Sequence, residues 1–218
     1  MNSEGYERVY VWEIPFRLSH WVTVAAFLTL SVTGFYIGRP IFGGSVSLMA
    51  WMRGTHRIAA WVLVASLAVR IYWVFMGNRW ASWQNFFPYL WRSRWREMAD
   101  TFLYYIFLRR KPPGSIGHNP LAGVAYSAVY FLLFVQVITG FALQSVGSHG
   151  WREIAFGWVF SLLSLPYARL VHRLGMWLLL GFAIHHVYSA TLMDIEERNG
   201  LMTSIFSGYK WRERREAS

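Results

Sequence analysis

The sequence contains no cysteine among its 218 residues. That excludes disulfides, zinc–thiolate sites, iron–sulfur ligation by this chain and covalent haem attachment through C-x-x-C-H. Charge is scarce as well: 15% of residues are charged, against about 25% in an ordinary soluble domain. Acidic residues are the rarer sign, 11 against 21 basic, for a formal net charge of +10. Such a balance raises nucleic acid as a partner. The basic residues, however, flank apolar blocks, which is where a membrane topology signal puts them, and no nucleic-acid partner is expected. A cleavage site is missing too. Glu4, Glu7 and Glu13 precede the first apolar block and no small-residue motif follows it, so that block is expected to remain as a span and not to leave as a signal peptide.

What the chain has instead is apolar and aromatic surface, 55% hydrophobic and 19% aromatic with 13 tryptophans. The apolar blocks are longer than a soluble helix can bury on one face. A membrane-spanning helix needs about 20 mainly apolar residues, and four segments qualify: 16–37, 52–76, 120–144 and 170–193. Trp12, Trp21, Trp51, Trp80, Trp151 and Trp158 stand near their edges, as interfacial anchors do. Residues 101–108 are apolar but too short to span. With Trp95 and Met98 before them, they read as a helix lying on the membrane surface. The expected fold is all-α, an integral membrane four-helix bundle forming a single domain over 1–218, with a loop at 77–119 and a tail at 194–218. No internal repeat is evident.

Loop charge gives the direction. The second loop carries Arg79, Arg92, Arg94, Arg96, Arg109, Arg110 and Lys111, and the tail carries Arg198, Lys210, Arg212, Arg214 and Arg215. The other two loops offer only Arg39 and Arg53, and Arg152 and Arg169. The excess, with Arg8 added to it, puts both termini in the cytoplasm of a multi-pass inner-membrane protein.

Ionisable groups inside a bilayer cost at least a few kcal/mol unless they are paired or functional. Histidine nevertheless occurs near one end of the first span (His20), of the second (His56) and twice along the fourth (His172, and His186 beside His185). Span direction sets depth. His20 starts at the cytoplasmic side, while His56 and His172 start at the external side. His186 follows His172 by fourteen residues, about 21 Å of helix rise, and so returns to the level of His20. Fourteen steps of about 100° also bring it back within roughly 40° of the same face, whereas His185 points elsewhere. A lone histidine would read as a helix-packing residue. Four of them, matched in depth, read as two pairs of axial ligands for two b-type haems, His56 with His172 outside and His20 with His186 inside. Gly34, fourteen residues after His20, offers close backbone approach for a porphyrin. Arg70, fourteen after His56, offers a propionate partner, as do Arg57 and Arg173. His149, in an external loop, has no assigned role.

These residues carry a resemblance. The segments Val9-Tyr10-Val11-Trp12-Glu13, Arg17-Leu18-Ser19-His20-Trp21 and Val32-Thr33-Gly34-Phe35-Tyr36-Ile37-Gly38 are similar to the cytochrome b subunit of membrane-bound nickel–iron uptake hydrogenases. So are Arg70-Ile71-Tyr72-Trp73, Gly77-Asn78-Arg79, Ile116-Gly117-His118-Asn119-Pro120, His172-Arg173-Leu174-Gly175-Met176-Trp177, His186-Val187-Tyr188, Asp194-Ile195 and Ser207-Gly208-Tyr209. The Gly-His-Asn-Pro loop is shared more widely among small di-haem cytochromes. The resemblance implies haem ligation by His20, His56, His172 and His186. It also implies a path for electrons from the iron–sulfur small subunit of a hydrogenase, and through it the large nickel–iron subunit, to a quinone. One departure is Gly123, where relatives often carry glutamine.

The expected function is therefore electron transfer within a membrane-anchored complex, with no catalysis by the chain alone. The alternative is the equivalent cytochrome b subunit of a formate dehydrogenase or thiosulfate reductase. Membrane lipid is a further partner, and the complex can form higher-order oligomers. The quinone is expected near Gly117, His118, Asn119 and Tyr188, where Asn119 either binds a quinone carbonyl or caps the helix that begins at Pro120. Asp194, Glu196 and Glu197 either relay protons to it or form a solvated helix end.

Overall fold

A computed structural model of the chain describes residues 6–41, 44–106, 108–110 and 120–213. Each apolar block becomes one unbroken helix, because a run without backbone breakers satisfies its own N–H and C=O groups where water is absent. The elements follow in order: strand β1 (Tyr6–Tyr10), α1 (Ile14–Gly38), α2 (Val46–Met76), α3 (Arg92–Tyr105), α4 (Pro120–Ser145), α5 (Trp151–Phe156), α6 (Val159–Leu162), α7 (Leu165–Glu197), α8 (Leu201–Ser207) and strand β2 (Tyr209–Glu213). Four of these helices, α1, α2, α4 and α7, are long and apolar enough to cross a membrane. The chain is thus an all-α membrane protein. Leu28, Val32, Val62, Phe131, Phe134, Leu178 and Ile184 are exposed on these helices, as lipid-facing side chains are.

Helix ends differ from the apolar limits where capping decides them. The Ser45 hydroxyl accepts from the Leu48 N–H at 3.1 Å and starts α2 at Val46, one to two turns before the apolar block. The helix expected around 101–108 likewise begins earlier, at Arg92. Its arginines conceal the helical period from a search for apolar runs, yet Trp95, Met98, Ala99 and Phe102 line one depression together with Leu121.

Two compact units can be distinguished, residues 1–123 with 190–218, and residues 124–189. The first contains an element that the hydropathy reading does not anticipate. β1 and β2 pair antiparallel, Tyr6 opposite Glu213 and Tyr10 opposite Tyr209. Gly208, at φ +88°, turns the chain from α8 into β2, and its carbonyl accepts from Val11 N at 2.8 Å and Trp12 N at 3.0 Å. Arg8 lies over the Tyr209 ring at 3.9 Å, and Arg212 pairs with Glu7. The segments before the first span and after the last are therefore side by side.

Beside this ladder Trp12 stacks on Phe16 at 4.4 Å, in a buried cluster with Val11 and Ala81 that Val9, Trp73, Trp80 and Ile205 enclose. Its indole donates to Ser204 Oγ at 3.0 Å. The Glu13 carboxylate accepts from the Trp73 indole at 2.8 Å and from Asn78 N at 2.9 Å, while Asn78 Nδ2 donates to the Val11 carbonyl at 3.0 Å. Residues that carry the resemblance at positions 9–13, 70–79 and 207–209 are in good part those that clamp the chain ends onto α2.

Candidate functional site

In the first unit α1 and α2 run antiparallel and meet at two levels. At one, Ser66 Oγ donates to the Ser19 carbonyl and sits 2.8 Å from Thr23 Oγ1. Arg70, only 5% exposed, lays its guanidinium over the Phe16 ring at 3.8 Å and near Phe86 at 5.1 Å. His20 belongs to this end of α1, half-buried, with its ring edge-on to Trp21 at 5.3 Å. At the other level Thr33 Oγ1 stands 2.8 Å from His56 Nδ1. His20 and Thr33 are thirteen residues apart on one helix, about 20 Å of rise.

In the second unit α4 and α7 repeat this arrangement. His172 is seated on α4 by three neighbours. Gln136 Nε2 donates to the His172 carbonyl at 2.8 Å, Thr139 Oγ1 stands 2.9 Å from His172 Nδ1, and Gly140 lies beneath the ring. A Cβ on Gly140 would come 3.1 Å from His172 Cε1, so the missing side chain is what admits the imidazole. Gly175 gives room in the same way to the Gln136 amide. At the other level His186 stacks on Phe182, centroids 5.6 Å apart, and meets the edge of Tyr126 at 5.8 Å. The Tyr126 hydroxyl is 3.5 Å from His186 Nδ1, the outer limit of a hydrogen bond. Tyr126 and Thr139 are thirteen residues apart, so this unit also has levels about 20 Å apart.

The four candidate histidines thus fall two to each unit, His20 and His56 in one, His172 and His186 in the other. All four are half-buried. His185 is exposed, as are Arg57, Arg173 and Tyr188, while Gly34 is half-buried on α1. His149 is exposed, with Nδ1 3.8 Å from Glu153. Gly117, His118 and Asn119 lie outside the described residues. Gly123 is buried at the start of α4, where a Cβ would run into the Asn85 carbonyl and approach the Pro88 ring to 3.2 Å. No larger side chain fits there.

Three site residues escape a reading of hydropathy and histidine spacing: Thr33, Thr139 and Gln136. A signal for two of them exists. The tripeptide Thr-Gly-Phe occurs at 33–35 and again at 139–141, once near the end of α1 and once near the end of α4.

Past the end of the fourth span a polar cluster closes the first unit. Lys210 is 2% exposed on β2. Burial pushes its ammonium down to about 8, and the negative charges of Glu197 and Asp194 pull the other way. Asn199 Nδ2 donates to Glu197 Oε2 at 2.5 Å, and Glu196 is exposed.

Among the described residues no three histidines or carboxylates gather where they could hold a metal ion. The available donors are single imidazoles at two levels of each unit. That set suits axial coordination of a metal already held in a macrocycle, and iron in haem takes histidine in this way.

Comparison with known proteins gives a consistent picture. The family described as prokaryotic cytochrome b561 matches residues 11–208. A probable Ni/Fe-hydrogenase B-type cytochrome subunit of Cupriavidus necator is 36% identical, over 96% of this chain and 89% of its own length. Its counterpart in Rhizobium leguminosarum bv. viciae is 38% identical over 93% and 88%. The probable Ni/Fe-hydrogenase 1 B-type cytochrome subunit of Escherichia coli K12 is 36% identical over 96% and 93%.

Proposed function

The chain belongs to the prokaryotic cytochrome b561 family, and from that premise we propose that it is a di-haem cytochrome b that anchors a nickel–iron hydrogenase to the inner membrane and passes electrons from dihydrogen to the quinone pool. Haem b would be held by His56 with His172 at the external level and by His20 with His186 at the cytoplasmic level. The observation that carries this reading is the two-level arrangement, found in each unit with the levels about 20 Å apart. The names of these relatives support a hydrogenase partner over a formate dehydrogenase or thiosulfate reductase. When bound, the haems supply one-electron transfer, and the chain's residues ligate, space and shield them.

The side chains present fit that task. His172 is seated by Gln136, Thr139 and Gly140, and His56 by Thr33. Arg70, buried between aromatic rings on α2, offers a cation to a propionate. The quinone would bind on the cytoplasmic side near Gly117, His118, Asn119 and Tyr188, with amide and phenol groups to hydrogen-bond its carbonyls. Pairing of β1 with β2 supports an even number of crossings and both termini on one side. The basic second loop and tail favour the cytoplasm as that side. Dihydrogen oxidised outside releases its protons outside, and quinone reduced inside takes its two protons from the cytoplasm. Turnover then moves charge across the bilayer.

The purified complex in proteoliposomes tests this. Hydrogen-driven quinone reduction should build a potential positive on the hydrogenase side, with two extractable haems per chain. His186→Ala should lose one haem and the potential, while dye reduction by the hydrogenase persists and His185→Ala keeps both haems. Quinone reduction at the normal rate without a potential, or two haems retained in His186→Ala, would overturn the reading.

A further inference from the structure

Hydroxyl hydrogens can be counted at Thr33 and Thr139. Each threonine lies in a helix and approaches a backbone carbonyl one turn back: Thr33 Oγ1 to Thr29 O at 2.6 Å, Thr139 Oγ1 to Val135 O at 2.7 Å. Two oxygens so close require a hydrogen between them, because otherwise their lone pairs would face each other. A hydroxyl has one hydrogen, and in each threonine the carbonyl takes it. The contacts to Leu30 O at 3.2 Å and Gln136 O at 3.4 Å are longer and secondary.

Toward the imidazole each Oγ1 can then only accept. Thr33 Oγ1 is 2.8 Å from His56 Nδ1 and Thr139 Oγ1 is 2.9 Å from His172 Nδ1. In both rings Nδ1 must carry the proton. A neutral imidazole protonated at Nδ1 keeps its lone pair on Nε2. The donor strength of that lone pair rises with the hydrogen bond on the opposite nitrogen. Polarisation of each hydroxyl by its own carbonyl makes it a better acceptor still.

The arrangement occurs twice, in separate units, on matching Thr-Gly-Phe tripeptides. At the other level the Tyr126 hydroxyl stands 3.5 Å from His186 Nδ1, too long to act with comparable strength.

We propose that Thr33 and Thr139 are positioning residues that fix His56 and His172 as Nδ1–H tautomers, which makes Nε2 the nitrogen that would bind iron, and that together they lower the reduction potential of the haem which those two histidines ligate. The proposal rests on the reading of His56 and His172 as one axial pair. A more electron-rich ligand stabilises ferric over ferrous iron, so the potential at this level lies below its value without the threonines. A lower potential at the level where electrons are delivered favours their onward passage.

The test is a redox titration of the full complex in native membranes, followed in the haem absorbance, together with the low-spin ferric electron paramagnetic resonance spectrum. Thr33→Val and Thr139→Val keep the side-chain shape and remove the acceptor. Each should raise one of the two midpoints and move one low-spin signal, leaving the other haem unchanged and the haem content at two. Thr33→Ser and Thr139→Ser, which restore the hydroxyl, should return midpoint and signal toward wild type, and they carry the test where a valine variant does not assemble. Valine variants with both midpoints and both signals as in wild type would overturn the proposal. So would serine variants that behave like the valine ones. His56→Ala and His172→Ala separate the two layers of the argument: each should lose the same haem. Both haems retained in either variant would sink the ligand assignment itself, and the threonine proposal with it.

Discussion

Replacing Lys210 with methionine should alter how stability depends on pH in one window. Lys210 is 2% exposed, and burial brings its ammonium from the ordinary 10.5 down to about 8 against the pull of Glu197 and Asp194. On unfolding the side chain returns to water and to its ordinary value. Between these two pH values the unfolded chain holds a proton that the folded chain has released, so the Lys210 contribution to stability rises with pH across the window and levels off above it. Below pH 8 the whole penalty is present. A gap of about 2.5 pH units, at about 1.36 kcal/mol each, amounts to about 3 kcal/mol. The variant has no ammonium to titrate at this position. The stability of wild type minus that of Lys210→Met should therefore climb by about 3 kcal/mol in favour of wild type between pH 7.5 and 10.5, with most of the change above pH 8. Taking the difference cancels the tyrosines that titrate in the same range. Denaturant or thermal unfolding of the purified protein in detergent, over a pH series, measures it. A difference that stays flat would show that Lys210 keeps an ordinary ammonium, and the account of its burial would be wrong.

Gly123→Gln and Gly123→Ala should each destabilise the chain, by about 1–3 kcal/mol or more for the larger side chain, because any Cβ there meets the Asn85 carbonyl. A thermal midpoint as high as wild type in Gly123→Gln would contradict the close packing of α4 against the second loop. Glu13→Ala should cost about 2–4 kcal/mol, since it leaves the Trp73 indole and the Asn78 N–H without their shared acceptor. Glu13→Gln, which keeps an oxygen but no charge, should cost less. Equal losses in the two, measured by the same unfolding assay, would mean that a neutral acceptor oxygen recovers nothing here, and Glu13→Gln as stable as wild type would mean that the charge contributes nothing.

Fold class and span number were legible in the chain because apolar length is a one-dimensional property: about 20 residues without charge cross a bilayer wherever they lie. The levels of His20, His56, His172 and His186 along their helices were legible for the same reason, since rise per residue is fixed and span direction alternates. Helix starts were less so. Ser45 extends α2 and Arg92 opens α3 outside the apolar runs, through capping and amphipathic packing that hydropathy does not register. The β1–β2 ladder joins segments about two hundred residues apart, and nothing local in Tyr6–Tyr10 names its partner. Gly123 reads as a departure from relatives until the Asn85 carbonyl is found against it. Thr33 and Thr139 are the sharpest case. Along the sequence each is a small polar residue that a helix accommodates by bonding its hydroxyl to the preceding turn. Only the opposing helix, bringing His56 or His172 within 3 Å of that hydroxyl, turns its remaining lone pair into the acceptor that selects a tautomer. The chain by itself determined how far along its own helix each histidine stands; tertiary packing decided which atoms face it there, because a hydrogen bond depends on tenths of an ångström that no spacing rule contains.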